Sequence, residues 1–239
     1  MIILGVECTA GPVSCAVYEN GSCKAEYYLN IKTTHSQTLM PMIESSFSLC
    51  GLTPQDIDYY AVTDGPGSFT GVRIGVSAVK GLAQPIGKPC VAVSVLEAMA
   101  YNMLSTDCVV CSVMDARCNQ VYNGLFEVCS GRVERLSQDR ALMIDELKSE
   151  IINLSQANTK TPIFIVGDGA ELFYKSVQDI PNVKLAPPQL VRQKASGVCL
   201  VAENKIKRNE TVSANELLPR YLRKPQAERE LNAKMQKKG

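Results

Sequence analysis

The order of strands and helices constrains the fold most, because it runs through the first part of the chain and then starts again. Three strands come first, at 2–6, 13–18 and 22–29, and Asn20-Gly21 is typical of a hairpin turn between the last two. A helix that begins near 36–38 and ends at Gly51 follows, and then a strand at 58–63, a helix at 68–83 and a strand at 90–94. Strands that alternate with helices indicate a mostly parallel sheet with both faces covered.

The same order is predicted again in the second part of the chain. A strand at 109–115 ends in Asp115, as the first strand ends at Glu7, and a hairpin at 120–128 and 132–136 turns at Ser130-Gly131. A helix at 144–154, a strand at 163–166 and helices near 170–177 and 196–207 complete the unit. We therefore predict an α/β fold in which a βββαβα unit is duplicated, with halves at 1–104 and 105–239.

Composition excludes several classes of protein. Hydrophobic residues make up 46% of the chain, which is enough for a large core, and a net charge of +1 does not predict a broad basic surface. His35 is the only histidine, so a site that needs two histidines cannot form. Ten cysteines without an export signal, and no apolar run of membrane-spanning length, predict a cytoplasmic protein that does not bind membranes.

Positive charge is concentrated towards the C-terminus. Residues 205–239 contain ten Lys or Arg and four Asp or Glu. We predict a basic C-terminal helix there. Two interpretations of it stay open: a solvated helix, or a weak contact with RNA or with an acidic protein.

Two glycine-rich turns each follow a strand and precede a helix. One lies within residues 63–75, and the other contains Gly167 and Gly169. Such turns bring backbone N–H groups and a helix N-terminus together, where they can bind an anion, but a plain tight turn is an equally open interpretation. The first turn matches neither a Walker A loop nor a dinucleotide-binding fingerprint. The candidate nucleotide or phosphate contacts are Glu7, Gly65, Gly67, Ser68, Gly167 and Gly169.

The helix at 68–83 has more apolar surface than a helix on a single sheet needs. Its apolar positions span roughly 220° of the circumference, and Arg73, Ser77 and Lys80 form the remaining polar strip. Either the helix that begins at His35 packs beside it, or another protein does.

Four stretches of sequence resemble the TsaB family, formerly called YeaZ, of tRNA threonylcarbamoyladenosine biosynthesis proteins. They are residues 5–9 (GVECT), 35–43 (HSQTLMPMI), 65–75 (GPGSFTGVRIG) and 115–122 (DARCNQVY), and residues 219–223 (PRYLR) also fit. The resemblance spans nearly the whole chain. It implies two similar halves of the actin/Hsp70-like, ribonuclease H-like type, each with a mixed sheet and helices.

The resemblance implies a non-catalytic subunit. Such proteins bind and activate TsaD, the transferase that places a threonylcarbamoyl group on the adenosine next to the anticodon of tRNAs reading codons that begin with A. A TsaE homologue, tRNA bound through the complex, and self-association when TsaD is absent are the other implied interactions. No cofactor is firmly implied, although ATP or ADP at the junction with TsaD is one candidate.

The residues themselves add an argument for a pseudo-enzyme. TsaD-like enzymes hold a metal through a His-x-x-x-His motif on a helix, and here Leu39 stands four residues after His35. Leucine offers no ligand atom, so that metal site cannot be assembled in this form. The predicted site therefore has no catalytic and no metal-binding residues.

The resemblance places the partner interface on the first two helices. The residues that we expect there are His35, Leu39, Met42, Ile43, Arg73, Ser77 and Lys80. On this basis Ile43→Glu is expected to break pairing and to leave the monomer folded.

Two other functions stay open on sequence alone. A small-molecule kinase or ATPase of the actin/Hsp70/sugar-kinase superfamily would use Glu7 and the two glycine turns. A metallopeptidase is the third hypothesis, and the single histidine argues against it because it provides too few ligands for a metal site.

Overall fold

A computed structural model describes residues 1–223, and its first half is built on a five-stranded mixed sheet. The strands are β1 (Ile2–Glu7), β2 (Val13–Glu19), β3 (Ser22–Leu29), β4 (Tyr59–Gly65) and β5 (Cys90–Ser94), in the order β3-β2-β1-β4-β5. The first three pair antiparallel, whereas β4 and β5 continue the sheet in parallel with β1. Every strand predicted for this half is present.

The second half repeats this plan in a six-stranded sheet. Its strands are β6 (Cys108–Asp115), β7 (Gln120–Cys129), β8 (Arg132–Arg135), β9 (Arg140–Met143), β10 (Ile163–Val166) and β11 (Val183–Leu185). The order β11-β10-β6-β7-β8, read from its other end, matches that of the first sheet, and β9 pairs with β7 beside this path. The predicted α/β fold with a duplicated unit is therefore confirmed.

Two long helices, α1 (His35–Cys50) and α2 (Phe69–Ala83), pack against the first sheet and against each other. Gly51 ends α1 with φ 66°, a left-handed conformation that glycine adopts without strain. Ser68 caps α2, because its Oγ accepts a hydrogen bond from the Gly71 N–H at 3.3 Å. The predicted ends of both helices are thus confirmed.

Two helices pack against the sheet of the other half. The unpredicted α3 (Val95–Ala100) follows β5 and packs against β6 and β7 of the second sheet. The predicted helix at 196–207 is α6 (Ala195–Lys207), and it packs back onto β1, β2 and β5 of the first sheet. α4 (Ile144–Ala157) and α5 (Ala170–Tyr174) complete the second half. The division at residue 104 stays a prediction.

The chain after α6 returns to the first half as an irregular segment, residues 211–223, which we call the strap. Val212 exchanges two backbone hydrogen bonds with Cys90, at 2.8 and 2.9 Å, and Leu217 is buried in the first core. The predicted basic helix falls mainly on residues 224–239, outside the described residues. Within residues 1–223, no helix is long and apolar enough to cross a membrane.

Candidate functional site

The two predicted partner helices are in place, but three of the predicted contact residues face inwards. Leu39 and Ile43 are 1% exposed and Met42 is 5% exposed, all in the core between α1, α2 and the first sheet. Side chains without accessible area cannot contact a partner while α1 keeps this position. The prediction is therefore wrong for these three residues, because the apolar stripe of α1 is used to cover its own sheet.

A different set of apolar side chains on α1 and α2 is partly exposed, and we call this set the seam. These residues are only partly buried, and they pack on the edge of the first core: Met40, Ile74, Ala78 and Leu82. Exposed small or polar residues flank them, including Pro41 and Ser45 on α1 and Ser77 on α2. The surplus apolar arc of α2 is thus partly covered by α1, and its remainder borders the solvent.

The predicted polar interface residues all have contacts within the chain, except Ser77, which is exposed. His35 Nε2 lies 3.1 Å from the Gly11 carbonyl oxygen, which accepts a hydrogen bond from it. Lys80 Nζ donates to the strap carbonyls of Asn215 and Leu217, at 3.2 and 3.1 Å. Whether these residues also meet a partner stays a prediction.

Arg73 joins α2 to the strap through an exposed aromatic stack. The rings of Phe69 and Tyr221 stack with centroids 4.5 Å apart and planes inclined by 24°. The Arg73 guanidinium lies 3.9 Å from the Phe69 centroid, and its Nε donates to the Tyr221 hydroxyl at 2.8 Å. This arrangement combines cation–π attraction with a hydrogen bond between α2 and the strap.

A cleft of about 560 Å³ separates the two halves. Its walls include Thr9, the Gly67 turn and Asp168, and the strap closes one side with Tyr221 and Arg223. Of the six candidate nucleotide contacts, Gly67 and Ser68 line this cleft, and Asp168, between Gly167 and Gly169, lines it from the second half.

The glycines of these turns fit against the chain's own backbone. Gly65 has φ 136°, and a Cβ there would overlap the Arg220 carbonyl oxygen. A Cβ on Gly67 would overlap the Thr9 carbonyl oxygen, and one on Gly167 would overlap that of Val113. A Cβ on Gly169 would lie 2.8 Å from the Asp115 nitrogen. These glycines are therefore required for the close packing of the turns on the chain's own backbone, and a nucleotide or phosphate contact at the turns stays a prediction.

Two carboxyl groups, Asp168 in the wall of the cleft and Glu7 next to its Thr9, decide how an anion would be received there. Glu7 is 1% exposed and accepts hydrogen bonds from the N–H and hydroxyl of Thr9, at 2.6 and 2.5 Å. Burial raises the pKa of Glu7 above its ordinary value, and nearby Asp168 raises it further. Burial likewise raises the pKa of Asp168 to about 6. A negatively charged phosphate would be repelled by whichever of these groups is ionised.

A charged network that the sequence did not predict connects the strap to both halves. Arg220 Nη2 donates to Asp139 Oδ2 at 2.7 Å, and its Nε lies 3.5 Å from Asp64 Oδ2. Arg135 donates to the other Asp139 oxygen at 2.6 Å and to Glu97 at 2.7 Å. Burial raises the pKa of Asp64 to about 6, against the lowering effect of Arg220. Only the PRYLR match at 219–223 indicated this region in the sequence.

Metal-ligating side chains do not gather elsewhere in the described part of the chain. Among residues 1–223, no group of three or more His, Cys, Asp and Glu side chains could hold a metal ion. His35 is engaged with Gly11, and Leu39 is enclosed in the core rather than at a cavity.

Comparison with known proteins agrees over the length of the chain. The family model described as "TsaD: tRNA N6-adenosine threonylcarbamoyltransferase" matches residues 29–231. The "tRNA threonylcarbamoyladenosine biosynthesis protein TsaB" of Bacillus subtilis (strain 168) is 30% identical over 230 residues, covering 95% of this chain and 96% of that protein. The TsaB protein of Escherichia coli (strain K12) is 26% identical, covering 98% of this chain and 100% of that protein.

A solved structure shares the architecture. "YeaZ from Pseudomonas aeruginosa" superposes with a TM-score of 0.75 at 26% identity, covering 92% of this chain and 99% of that chain. The similarity therefore includes both halves, α1 and α2. The chain belongs to the TsaB family of tRNA threonylcarbamoyladenosine biosynthesis proteins, within the broader group that the TsaD family model describes.

Proposed function

We propose that the chain is a non-catalytic subunit in tRNA threonylcarbamoyladenosine formation that binds a TsaD homologue through the α1–α2 face and activates it. The partly exposed apolar seam on these helices carries this proposal. Met40, Ile74, Ala78 and Leu82 are partly exposed there, and small side chains beside them allow a partner helix to approach closely. In the absence of TsaD, a second copy of the chain could present the same face.

The absence of a catalytic role is supported by the chemistry of α1. A metal-dependent relative needs an imidazole four residues after His35, and this chain has Leu39 with its side chain in the core. His35 itself holds the loop at Gly11. Activation would therefore act by fixing the arrangement of the TsaD homologue, while a TsaE homologue and tRNA join through the complex.

A matched pair of substitutions tests the proposed interface. Ala78→Glu places a charge on the seam, whereas Ala141→Glu makes the same change on the exposed surface of β9 in the second half. Loss of a well-packed interface centre costs about 2 kcal/mol or more, so Ala78→Glu should weaken binding to a purified TsaD homologue at least tenfold. Ala141→Glu should leave the dissociation constant within about twofold.

Titration calorimetry with each variant measures this difference, and thermal unfolding shows that both variants are folded. Equal affinities for the TsaD homologue in a folded Ala78→Glu protein would exclude the seam as the binding surface.

A further inference from the structure

The strap lies beside α2, where Lys80 donates to two of its carbonyls and Arg73 donates to Tyr221. Its position therefore affects which side chains a partner on α2 would meet. Leu218 is 65% exposed and Tyr221 is 41% exposed, the two largest exposed apolar side chains on the strap. Tyr221 stacks on Phe69 of α2, so the strap adds exposed aromatic surface beside this helix. A partner on α2 would therefore also contact the strap.

The strap has little regular structure to hold it in this position. Only Val212 forms a bridge with a strand, and Lys80 holds the strap carbonyls from the side of α2. Beyond Leu217, the described contacts are those of Arg220, the Tyr221 stack and an Arg223 hydrogen bond to the Ala116 carbonyl at 2.6 Å. The end of the strap thus depends on a few polar contacts.

Arg220 is the central contact among these. Its backbone N–H donates to the Asp64 carbonyl at 2.7 Å, next to the Gly65 position where a Cβ would overlap the Arg220 carbonyl oxygen. Its guanidinium bridges Asp64 of the first half and Asp139 of the second. One side chain therefore connects the strap, the end of β4 and the segment between β8 and β9.

Asp139 is held in place independently of Arg220. Its side chain is 2% exposed, Ser94 Oγ donates to its Oδ2 at 2.6 Å, and Arg135 donates to its Oδ1. Loss of the Arg220 side chain should therefore leave Asp139 in position and release mainly the strap. A planar guanidinium has several donors at fixed positions, so it suits a bridge between two carboxylates better than an ammonium group does.

We propose that Arg220 is a positioning residue: it fixes the strap to both halves and so holds Leu218 and Tyr221 in the partner-binding face of α2. The effect on partner binding rests on the function proposed above. The fixation of the strap does not, because it is a property of the isolated chain.

Three variants test this role: Arg220→Gln removes the charge, Arg220→Lys keeps it without the planar fork, and Arg208→Gln is the control. Arg208 is an exposed arginine that pairs with Glu210 just before the strap. Hydrogen exchange of the isolated full-length chain should show the backbone amide of residue 220, which donates to the Asp64 carbonyl, exchanging about tenfold faster in Arg220→Gln, as expected for a lost charge-assisted hydrogen bond. Arg220→Lys should restore part of the protection, and Arg208→Gln should leave it unchanged.

The second readout is the affinity for a purified TsaD homologue, measured by titration calorimetry. Arg220→Gln should weaken it about three- to tenfold, with Arg220→Lys in between.

Unchanged strap exchange in Arg220→Gln would overturn the proposal, and so would a released strap with unchanged affinity. If the unmodified chain fails to bind the TsaD homologue, the proposed function fails, while hydrogen exchange still decides whether Arg220 fixes the strap. If Arg220→Gln does not fold, the Arg220→Lys comparison decides both points.

Discussion

Ile43 gives the sharpest test of where α1 faces, because sequence and structure make opposite predictions for it. The sequence resemblance placed it at a partner interface, where Ile43→Glu would leave the monomer folded. In the structure Ile43 is 1% exposed within the first core. Truncating such a side chain to alanine costs about 2–5 kcal/mol, because the lost contacts and the residual cavity both destabilise the native state.

The expected change is large compared with the stability of a domain, which is about 5–15 kcal/mol. For a chain of 239 residues, each kcal/mol lowers the melting temperature by about 2–4 °C, so Ile43→Ala should lower it by about 4–20 °C. Ile43→Glu should unfold the chain or destabilise it further, since a carboxylate would enter the core without a partner. Ser45→Ala, on the exposed face of the same helix, is the control and should change the melting temperature by less than about 2 °C.

Thermal unfolding followed by circular dichroism measures all three variants. A melting temperature for Ile43→Ala within 2 °C of the unmodified chain, combined with weaker binding to a TsaD homologue, would refute the inward orientation of α1.

Two further predictions concern a helix glycine pair and a buried carboxyl group. Gly71→Ala should destabilise the chain by more than about 2 kcal/mol in urea unfolding, because its Cβ would overlap the Cys8 carbonyl oxygen. Gly81→Ala, in the same helix with open space around it, should instead stabilise by about 0.5–1 kcal/mol; equal effects would contradict the close approach of α2 to Cys8. Burial raises the pKa of Asp168 to about 6 in the folded state, from an ordinary value of 3.8. Proton binding by this group therefore stabilises the folded state fully below about pH 4, and this contribution is lost as the pH rises through 6. When the pH rises from 4 to 7, the free energy of unfolding of Asp168→Asn should therefore fall by about 1–2 kcal/mol less than that of the unmodified chain. Identical pH profiles would contradict the burial of this carboxyl group.

The regular elements of both halves could be predicted because their signals are local. Asn20-Gly21 and Gly51 mark turns through their backbone conformations, and the apolar period of α1 and α2 is clear in the sequence. α3 was not predicted because it is buried on nearly every side, so it lacks the polar strip that reveals a surface helix. β9 and β11, with four and three residues, are too short to show an alternation.

The candidate site was less accessible to sequence reasoning. The apolar stripe of α1 is real, but a stripe does not show whether a sheet or another protein covers it, so Leu39, Met42 and Ile43 were misplaced. The strap depends on contacts between residues more than a hundred positions apart, such as Arg220 with Asp64 and Tyr221 with Arg73. Such pairs leave no local pattern. The glycine turns pack closely on the chain's own backbone, and this requirement leaves the same sequence pattern as an anion site does.

The central claim is that this chain activates a TsaD homologue without catalysing the reaction. The most direct test is threonylcarbamoyl transfer to tRNA in a mixture of a TsaD homologue, a TsaE homologue and the enzyme that supplies the threonylcarbamoyl donor, with and without the chain. We predict that transfer appears only when the chain is added, and that the isolated chain does not turn over ATP. Equal transfer in both mixtures, together with ATP turnover by the chain alone, would contradict the account and favour a kinase or ATPase.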